Sequence, residues 1–279
     1  MTIWAAILLG LVQGIAEFLP ISSSGHLSIL QNLFGMTALE GGHMFFDVLL
    51  HFGTLISICV VYWRDISDMV TELLALLKGT VRPSATDAKR GMSAARLFLM
   101  LVVATLPLLL VLPINNYVEP LYYKSGFIGV AFLLTGGLLF VSDKMSPGKK
   151  TEKTMRIKDA LTVGVCQAVA IIPGLSRSGT TITAGLATGL NRSFAVKFSF
   201  LLSLPAVLGA NILSLVKAIQ EGIDVTLLPA YLIGMVVAMV SGIFAIGLVK
   251  RIADKGRFGG FAYYCWGVGI LTIILSLVF

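Results

Sequence analysis

Charge is scarce in this chain. Asp, Glu, Lys and Arg make up 13% of its 279 residues, against about 25% in an ordinary soluble domain. A soluble globular protein is therefore excluded, and the mean hydropathy of +0.92 points the same way. Cysteine is nearly missing too: Cys59, Cys166 and Cys265 sit in apolar runs with no CxxC or Cys/His spacing. That leaves neither a disulfide framework nor a zinc site, only small apolar packers. Acidic residues number 14 against 21 Lys and Arg, giving a net charge of +7. In a membrane protein such an excess marks cytoplasmic loops, so no nucleic-acid partner is expected. Lys and Arg do not occur from Met1 to Val12, and no cleaved signal peptide is expected.

What the chain does have is apolar runs. Residues 45–63, 97–112, 126–142, 198–215, 227–249 and 260–279 are long enough, or nearly so, to cross a bilayer core, which takes roughly 20 helical residues. Two further runs, 3–15 and 160–172, are too short. Each stops at a proline followed by a Ser/Gly cluster, which cannot face lipid because its peptide groups would go unpaired. The reading is an all-α polytopic membrane protein, one integral domain of six transmembrane helices plus two re-entrant helical segments.

The two broken segments are related by an offset of 154 residues: Gln13 falls on Gln167, Ala16 on Ala170, Ser22 on Ser176, Ser24 on Ser178, Gly25 on Gly179 and Phe46 on Phe200. Three full spans follow each one, an odd number, so the halves, about 1–142 and 157–279, are predicted to enter the membrane in opposite senses. Segments 64–96, 143–158 and 250–257 hold 16 of the 21 Lys and Arg. In this topology all three lie on one face, which is cytoplasmic by the positive-inside rule. Both termini then face outward, and the two Ser/Gly tips meet near the midplane.

Two constellations carry the chemistry. In the first, four-residue spacing places Gln13 and Glu17 on one helix face, and a carboxylate at membrane depth is by default functional. Pro20 ends the helix, and Ser22, Ser23, Ser24 and Gly25 supply turning N–H groups for an anion or the next helix; His26 follows at once. Small residues also permit close helix packing, which leaves Glu17 and His26 unexplained. His43 and His51 read as structural. Asp47, four residues before His51, is either its supporting partner or a helix-end residue.

The second constellation is Pro173-Gly174-Leu175-Ser176-Arg177-Ser178-Gly179-Thr180-Thr181. Its glycines allow close backbone approach, Ser176, Ser178 and Thr181 offer hydroxyls, and Arg177 offers a planar fork for two phosphate oxygens. Among hydroxyls and glycines this reads as a phosphate site rather than a snorkelling anchor. Arg192 and Lys197, at the entrance to a span, read as anchors.

With these residues in view, the sequence resembles the undecaprenyl-diphosphate phosphatases, also called bacitracin-resistance proteins, over essentially its whole length. The Gln13/Glu17 pair, the Ser-Ser-x-Gly-His stretch and Pro-Gly-x-Ser-Arg-Ser-x-x-Thr ending at Thr181 carry the likeness. The resemblance implies hydrolysis of undecaprenyl diphosphate, a polyprenyl lipid, to the monophosphate that carries cell-wall precursors, in a bacterial plasma (inner) membrane, with bacitracin resistance as a consequence. Where the family's paired motif admits Glu or Gln at its first position, this chain has Gln13, so one strong carboxylate remains and a two-carboxylate metal cage is in doubt. The expected site has Glu17, Ser23, His26 and Arg177 as catalytic residues. Gln13, Ser22, Gly174, Ser176, Ser178 and Thr181 bind substrate, and Mg2+ or Ca2+ sits at Glu17.

Ser23 or His26 can act as nucleophile, with Ser23 activated by His26 preferred. One rival is a transporter moving undecaprenyl phosphate through the same inverted repeat. An ion-coupled carrier using Glu17 and His26 would leave Arg177 without a job. Membrane lipid surrounds the protein in every reading, and the oligomeric state is open, a homodimer included.

Overall fold

The computed structural model describes residues 1–33, 44–78, 94–146, 148–256 and 258–278. All regular structure among them is helical, and the helices longer than one turn and of α type are α1 (Ile3–Phe18), α2 (Ser23–Leu33), α3 (Met44–Val61), α4 (Trp63–Leu77), α5 (Ala94–Leu109), α6 (Ser125–Lys144), α7 (Ile157–Val169), α8 (Arg177–Ala187), α9 (Arg192–Glu221), α10 (Leu228–Lys255) and α11 (Gly259–Val278). His43 lies outside the described residues, as does part of the basic segment 64–96.

Five helices, α3, α6, α9, α10 and α11, are long and apolar enough to cross a membrane. The expected sixth span is α5, which has 16 residues with Pro107 near its end. At about 1.5 Å per residue it covers less than a bilayer core. Conversely, α9 and α10 outrun their apolar stretches, because the charged residues at their ends find protein partners. Arg192 lies 3.4 Å from the carbonyls of Ser142, Asp143 and Met145, capping the end of α6. Lys197 bridges Asp65 at 2.7 Å and Glu152 at 2.6 Å. Both were expected as lipid anchors; they are ties within the protein. Another difference is α4, a helix where a loop was expected, with Met69 buried and Val70, Leu74 and Leu77 exposed. That one-sided pattern suits a helix lying at an interface.

The repeat is visible in the backbone. Adding 154 to the ends of α2, Ser23 and Leu33, gives the ends of α8, Arg177 and Ala187. Gly10 of α1 and Gly164 of α7 differ by the same offset and make the same kind of contact. A Cβ on Gly10 would lie 2.4 Å from the Gly234 carbonyl oxygen of α10, and one on Gly164 would lie 2.3 Å from the Ala104 carbonyl oxygen of α5. Each re-entrant helix thus beds backbone to backbone on a helix of the opposite half, which only glycine permits.

Equivalent helices also run in opposite senses. Along α6 and α11, Gly129 meets Gly269, Gly136 meets Ala262, and the Asp143 carboxylate accepts from Phe258 N. Along α3 and α9, Asn211 reaches the Val48 carbonyl at one level. At another, Phe200 stacks edge-on with Phe18, which borders Gly242 together with Ser57. Rising numbers on one helix therefore meet falling numbers on its mate. The main core lies around Phe18, Phe198, Phe200 and Phe258, under the two tips.

Candidate active site

The first tip is shaped by Pro20. It disfavours helical geometry at the residue before it, and Leu19 ends α1 in extended conformation with ψ 140°. The chain then turns through Ser22, whose φ of 69° is left-handed, a conformation costing a non-glycine residue on the order of 1–2 kcal/mol. Local bonds offset that cost: Ser22 O accepts from His26 Nδ1 at 2.7 Å, and Ser22 Oγ accepts from Gly25 N at 3.3 Å.

The second tip is built differently. Ser176 caps α8, its Oγ accepting from Gly179 N at 3.1 Å. Gly174 has φ 87°, and a Cβ there would lie 2.8 Å from the Ala131 Cβ, so glycine is required both for its conformation and for its closeness to α6. The tips touch. Gly174 N donates to Ser24 Oγ at 3.5 Å, Ser178 Oγ donates to Leu19 O at 3.3 Å, and a Cβ on Gly25 would be 3.1 Å from the Gly174 Cα.

At this junction Glu17 gathers three groups. Its Oε2 accepts from Ser23 Oγ at 2.6 Å and from Gln13 Nε2 at 3.0 Å. Its Oε1 forms an ion pair with the Arg177 guanidinium, from 160 residues away. The Glu17 side chain is 4% exposed and that of Arg177 26%, so the carboxylate is enclosed while the fork keeps access to a ligand. The repeat has thus diverged at the chemistry. The mates of Glu17 and Ser23 are Ile171 and Arg177, so one half supplies the acid and the hydroxyl and the other supplies the cation.

Expected partners do not all meet. His26 does not pair with Ser23: its Nδ1 is held by Ser22 O, and its Nε2 accepts from Tyr264 at 2.8 Å. Ser23, at the start of α2, instead points back to Glu17. The Ser176, Ser178 and Thr181 hydroxyls bond within the protein. Ser176 and Ser178 share a 3.2 Å contact, and Thr181 Oγ1 reaches Ser199 Oγ at 2.5 Å and donates to Arg177 O at 2.8 Å. They frame the loop that presents Arg177. Asp47 is tied by its carboxylate to Gln31 of α2 at 2.7 Å, while His51 Nδ1 takes the Asp47 carbonyl at 2.9 Å. Asp47 therefore fastens α2 to α3.

Two neighbours of these residues went unseen in the sequence. Thr135 of α6 is 1% exposed; its Oγ1 accepts from Ser176 N at 3.0 Å, pinning the second tip, and its proton lies between the Ala131 carbonyl of its own helix at 3.0 Å and the Gly174 carbonyl at 3.2 Å. Tyr264 of α11, near Tyr263 and Trp266 in the sequence, places its hydroxyl 2.8 Å from His26 Nε2. Neither position carries a sequence signal, because a threonine in an apolar span usually bonds to its own helix.

For a divalent cation the oxygen donors are Glu17 and Gln13. Gln13 Oε1 is buried with no hydrogen-bond partner, an acceptor in want of a positive charge or donor. Among the described residues no three His, Cys, Asp or Glu side chains converge to cage a metal. The set fits an ion completed by phosphate oxygens, as Mg2+ commonly is.

The profile of the bacitracin resistance protein BacA family matches residues 6–271. A protein of Carboxydothermus hydrogenoformans is 38% identical over 282 residues, covering 99% of this chain and 98% of its own. One from Desulforapulum autotrophicum is 38% identical with both chains fully covered. A third, from Methanobrevibacter smithii, is 39% identical with 99% of each covered. All three are named undecaprenyl-diphosphatase.

Proposed function

The chain belongs to the bacitracin resistance protein family, and from that membership and its site we propose that it is a multi-pass membrane phosphatase converting undecaprenyl diphosphate to undecaprenyl phosphate and phosphate. The observation that carries this reading is Glu17, which receives the Ser23 hydroxyl on one oxygen and the Arg177 guanidinium on the other. A serine hydroxyl bonded to a carboxylate is an activated nucleophile, and an arginine beside it is a receptor for phosphoryl oxygens.

In the proposed reaction, the terminal phosphate of the lipid takes the Arg177 fork. Ser23 Oγ attacks its phosphorus while Glu17 receives the hydroxyl proton. The anhydride P–O bond breaks, and the prenyl monophosphate departs as a stable anion that needs no strong acid. Water then attacks the phosphoserine and its protons stay on the departing phosphate, while the bond from phosphorus to Ser23 Oγ breaks and Glu17 returns the first proton to Ser23. Glu17 and Gln13 would hold Mg2+ or Ca2+, whose charge would offset that of the phosphoryl oxygens. The assignment replaces His26 by Glu17 as the base for Ser23, because Ser23 bonds to the carboxylate and the imidazole bonds elsewhere.

Phosphate release from a C55 diphosphate by detergent-purified protein, with and without chelator, tests the reading. Release that falls with chelator is expected; none under any cation condition would overturn it. A second reading, carriage of undecaprenyl phosphate across the membrane, draws on the antiparallel packing of the equivalent helices. Detergent separates the two, since transport needs two compartments.

Both termini are placed outside, the three basic segments in the cytoplasm, and the site open to the outer face of the plasma membrane, where a recycled cell-wall carrier and bacitracin would be met. An impermeant thiol reagent applied to intact cells should leave a cysteine at position 149 unlabelled. Labelling there would reverse the orientation.

A further inference from the structure

His51 of α3 faces the first re-entrant hairpin. Helical spacing puts residues 47, 51, 54 and 58 on one face of α3. At one end of that stripe the Asp47 carboxylate accepts from Gln31 of α2 at 2.7 Å. At the other, Ile58 is 1% exposed within the core that holds Phe18, Leu19 and Ile21. His51 lies between them, and its level can be read along α10. Phe46 and Ala6 both border Gly234, and Ser57 and Phe18 both border Gly242, so α1 and α3 run side by side in the same sense. At an equal rise per residue His51 stands beside Leu11 and Val12, about one and a half turns before Glu17. Along that direction Gln13 and Glu17 come after it, and the tips after them.

One side of the imidazole is engaged and the other is not. Nδ1 lies 2.9 Å from the Asp47 carbonyl oxygen, which can only accept, so Nδ1 carries a hydrogen. Among the described residues Nε2 has no hydrogen-bond partner, whereas Nε2 of His26 is taken by Tyr264. The residue is half-buried, and the carboxylates of Asp47 and Glu17 are both near enough for their charges to act on the ring. A histidine that only satisfied its own helix would account for the bond at Nδ1 but not for a free nitrogen beside the acid of the site.

We propose that His51 is a substrate-binding residue that holds the inner phosphate of the prenyl diphosphate, the one that leaves still attached to the lipid. The inference rests on the phosphatase reading and deepens it by adding a second phosphate subsite to the one at Arg177. In phosphoryl transfer the attacking and leaving oxygens lie roughly in line through phosphorus. Ser23 attacks from the tips, and His51 stands on the opposite side of Glu17, where the departing group goes. The bond from phosphorus to the bridging oxygen breaks, that oxygen stays on the prenyl monophosphate, and Nε2 faces the charge it gains. With a hydrogen on both ring nitrogens the imidazolium donates through Nε2 to a phosphate oxygen, while Asp47, fixed by Gln31, steadies the ring and supplies its counter-charge. A single subsite would take monophosphates and diphosphates alike; two favour the diphosphate.

Product inhibition separates the subsites, because inorganic phosphate fills the first and a prenyl monophosphate the second. His51→Phe keeps a ring of similar size without the donor. It is expected to raise the inhibition constant of farnesyl monophosphate about 10-fold and to lower kcat/KM by a similar factor, the low end for a hydrogen bond to a charged group. The inhibition constant of inorganic phosphate should stay within about twofold. A merely structural role would move both constants or neither, and either result would overturn the subsite. Nitrogen-15 spectra of histidine-labelled wild type give a readout that no variant's folding can confuse: the His51 Nε2 resonance should move on adding farnesyl monophosphate. An unmoved resonance at saturation, or an equal shift with inorganic phosphate alone, would overturn the proposal. If wild-type protein releases no phosphate from a C55 diphosphate, the phosphatase reading fails and the subsite with it, whereas an unmoved resonance in an active enzyme sinks the subsite alone.

Discussion

Glu17→Gln should lower kcat by about 10³-fold or more, within the 10²–10⁴ range typical for loss of a positioned proton acceptor. Glutamine keeps the shape of the side chain and can still bond to Ser23, so the substitution removes basicity and charge while sparing the packing. It leaves Arg177 without its anion, but that side chain is 26% exposed and water can serve it. The melting temperature should accordingly move little. Dependence on the divalent cation should weaken as well, since a neutral amide would replace the sole carboxylate of the motif. Stopped-assay phosphate release across a Mg2+ series reads both effects, and turnover within about fivefold of wild type would remove Glu17 from the chemistry.

Arg177→Lys comes next, with an expected loss of about 100-fold in kcat/KM. Lysine keeps the charge but not the planar fork that grips two oxygens, and losing one preorganised contact to a developing phosphoryl charge typically costs 10²–10³. Lysine is chosen over alanine for a stability reason. Glu17 is enclosed, and stripping a buried carboxylate of its partner costs roughly 3–5 kcal/mol, which would confuse misfolding with lost catalysis. Arg251→Lys, at an exposed position of α10, is the matched control and should leave kcat unchanged. Near wild-type activity in Arg177→Lys would show that charge alone suffices.

Much of this architecture could be read from residue order. Proline followed by serine and glycine inside an apolar run has few solutions other than a re-entrant turn, and the offset of 154 survives in the helix ends themselves. The Gln13–Glu17 bond follows from helical spacing. The Glu17–Arg177 pair does not, because 160 residues separate the partners and periodicity within one helix is silent on contacts between halves. Direction was equally hidden. Ser176, Ser178 and Thr181 have the right chemistry to bind phosphate, but their hydroxyls turn to Leu19, Ser199 and one another. The three-residue spacing of Ser23 and His26 suggested a dyad. The left-handed turn at Ser22 instead places its carbonyl under the imidazole, leaving Ser23 to the carboxylate behind it. Spans were legible as apolar runs, while their ends were not, since Arg192 and Lys197 extend α9 by finding partners that composition cannot show.

The central claim, that Ser23 held by Glu17 is the nucleophile, is most directly tested by acid quench of the enzyme turning over a C55 diphosphate radiolabelled in its terminal phosphate. Phosphoserine survives acid and phosphohistidine does not. The account predicts an acid-stable label that maps to Ser23 and is absent from Ser23→Ala. An acid-labile, base-stable label lost in His26→Ala would contradict it by making the imidazole the nucleophile, and the absence of any adduct during turnover would contradict it in favour of direct attack by water.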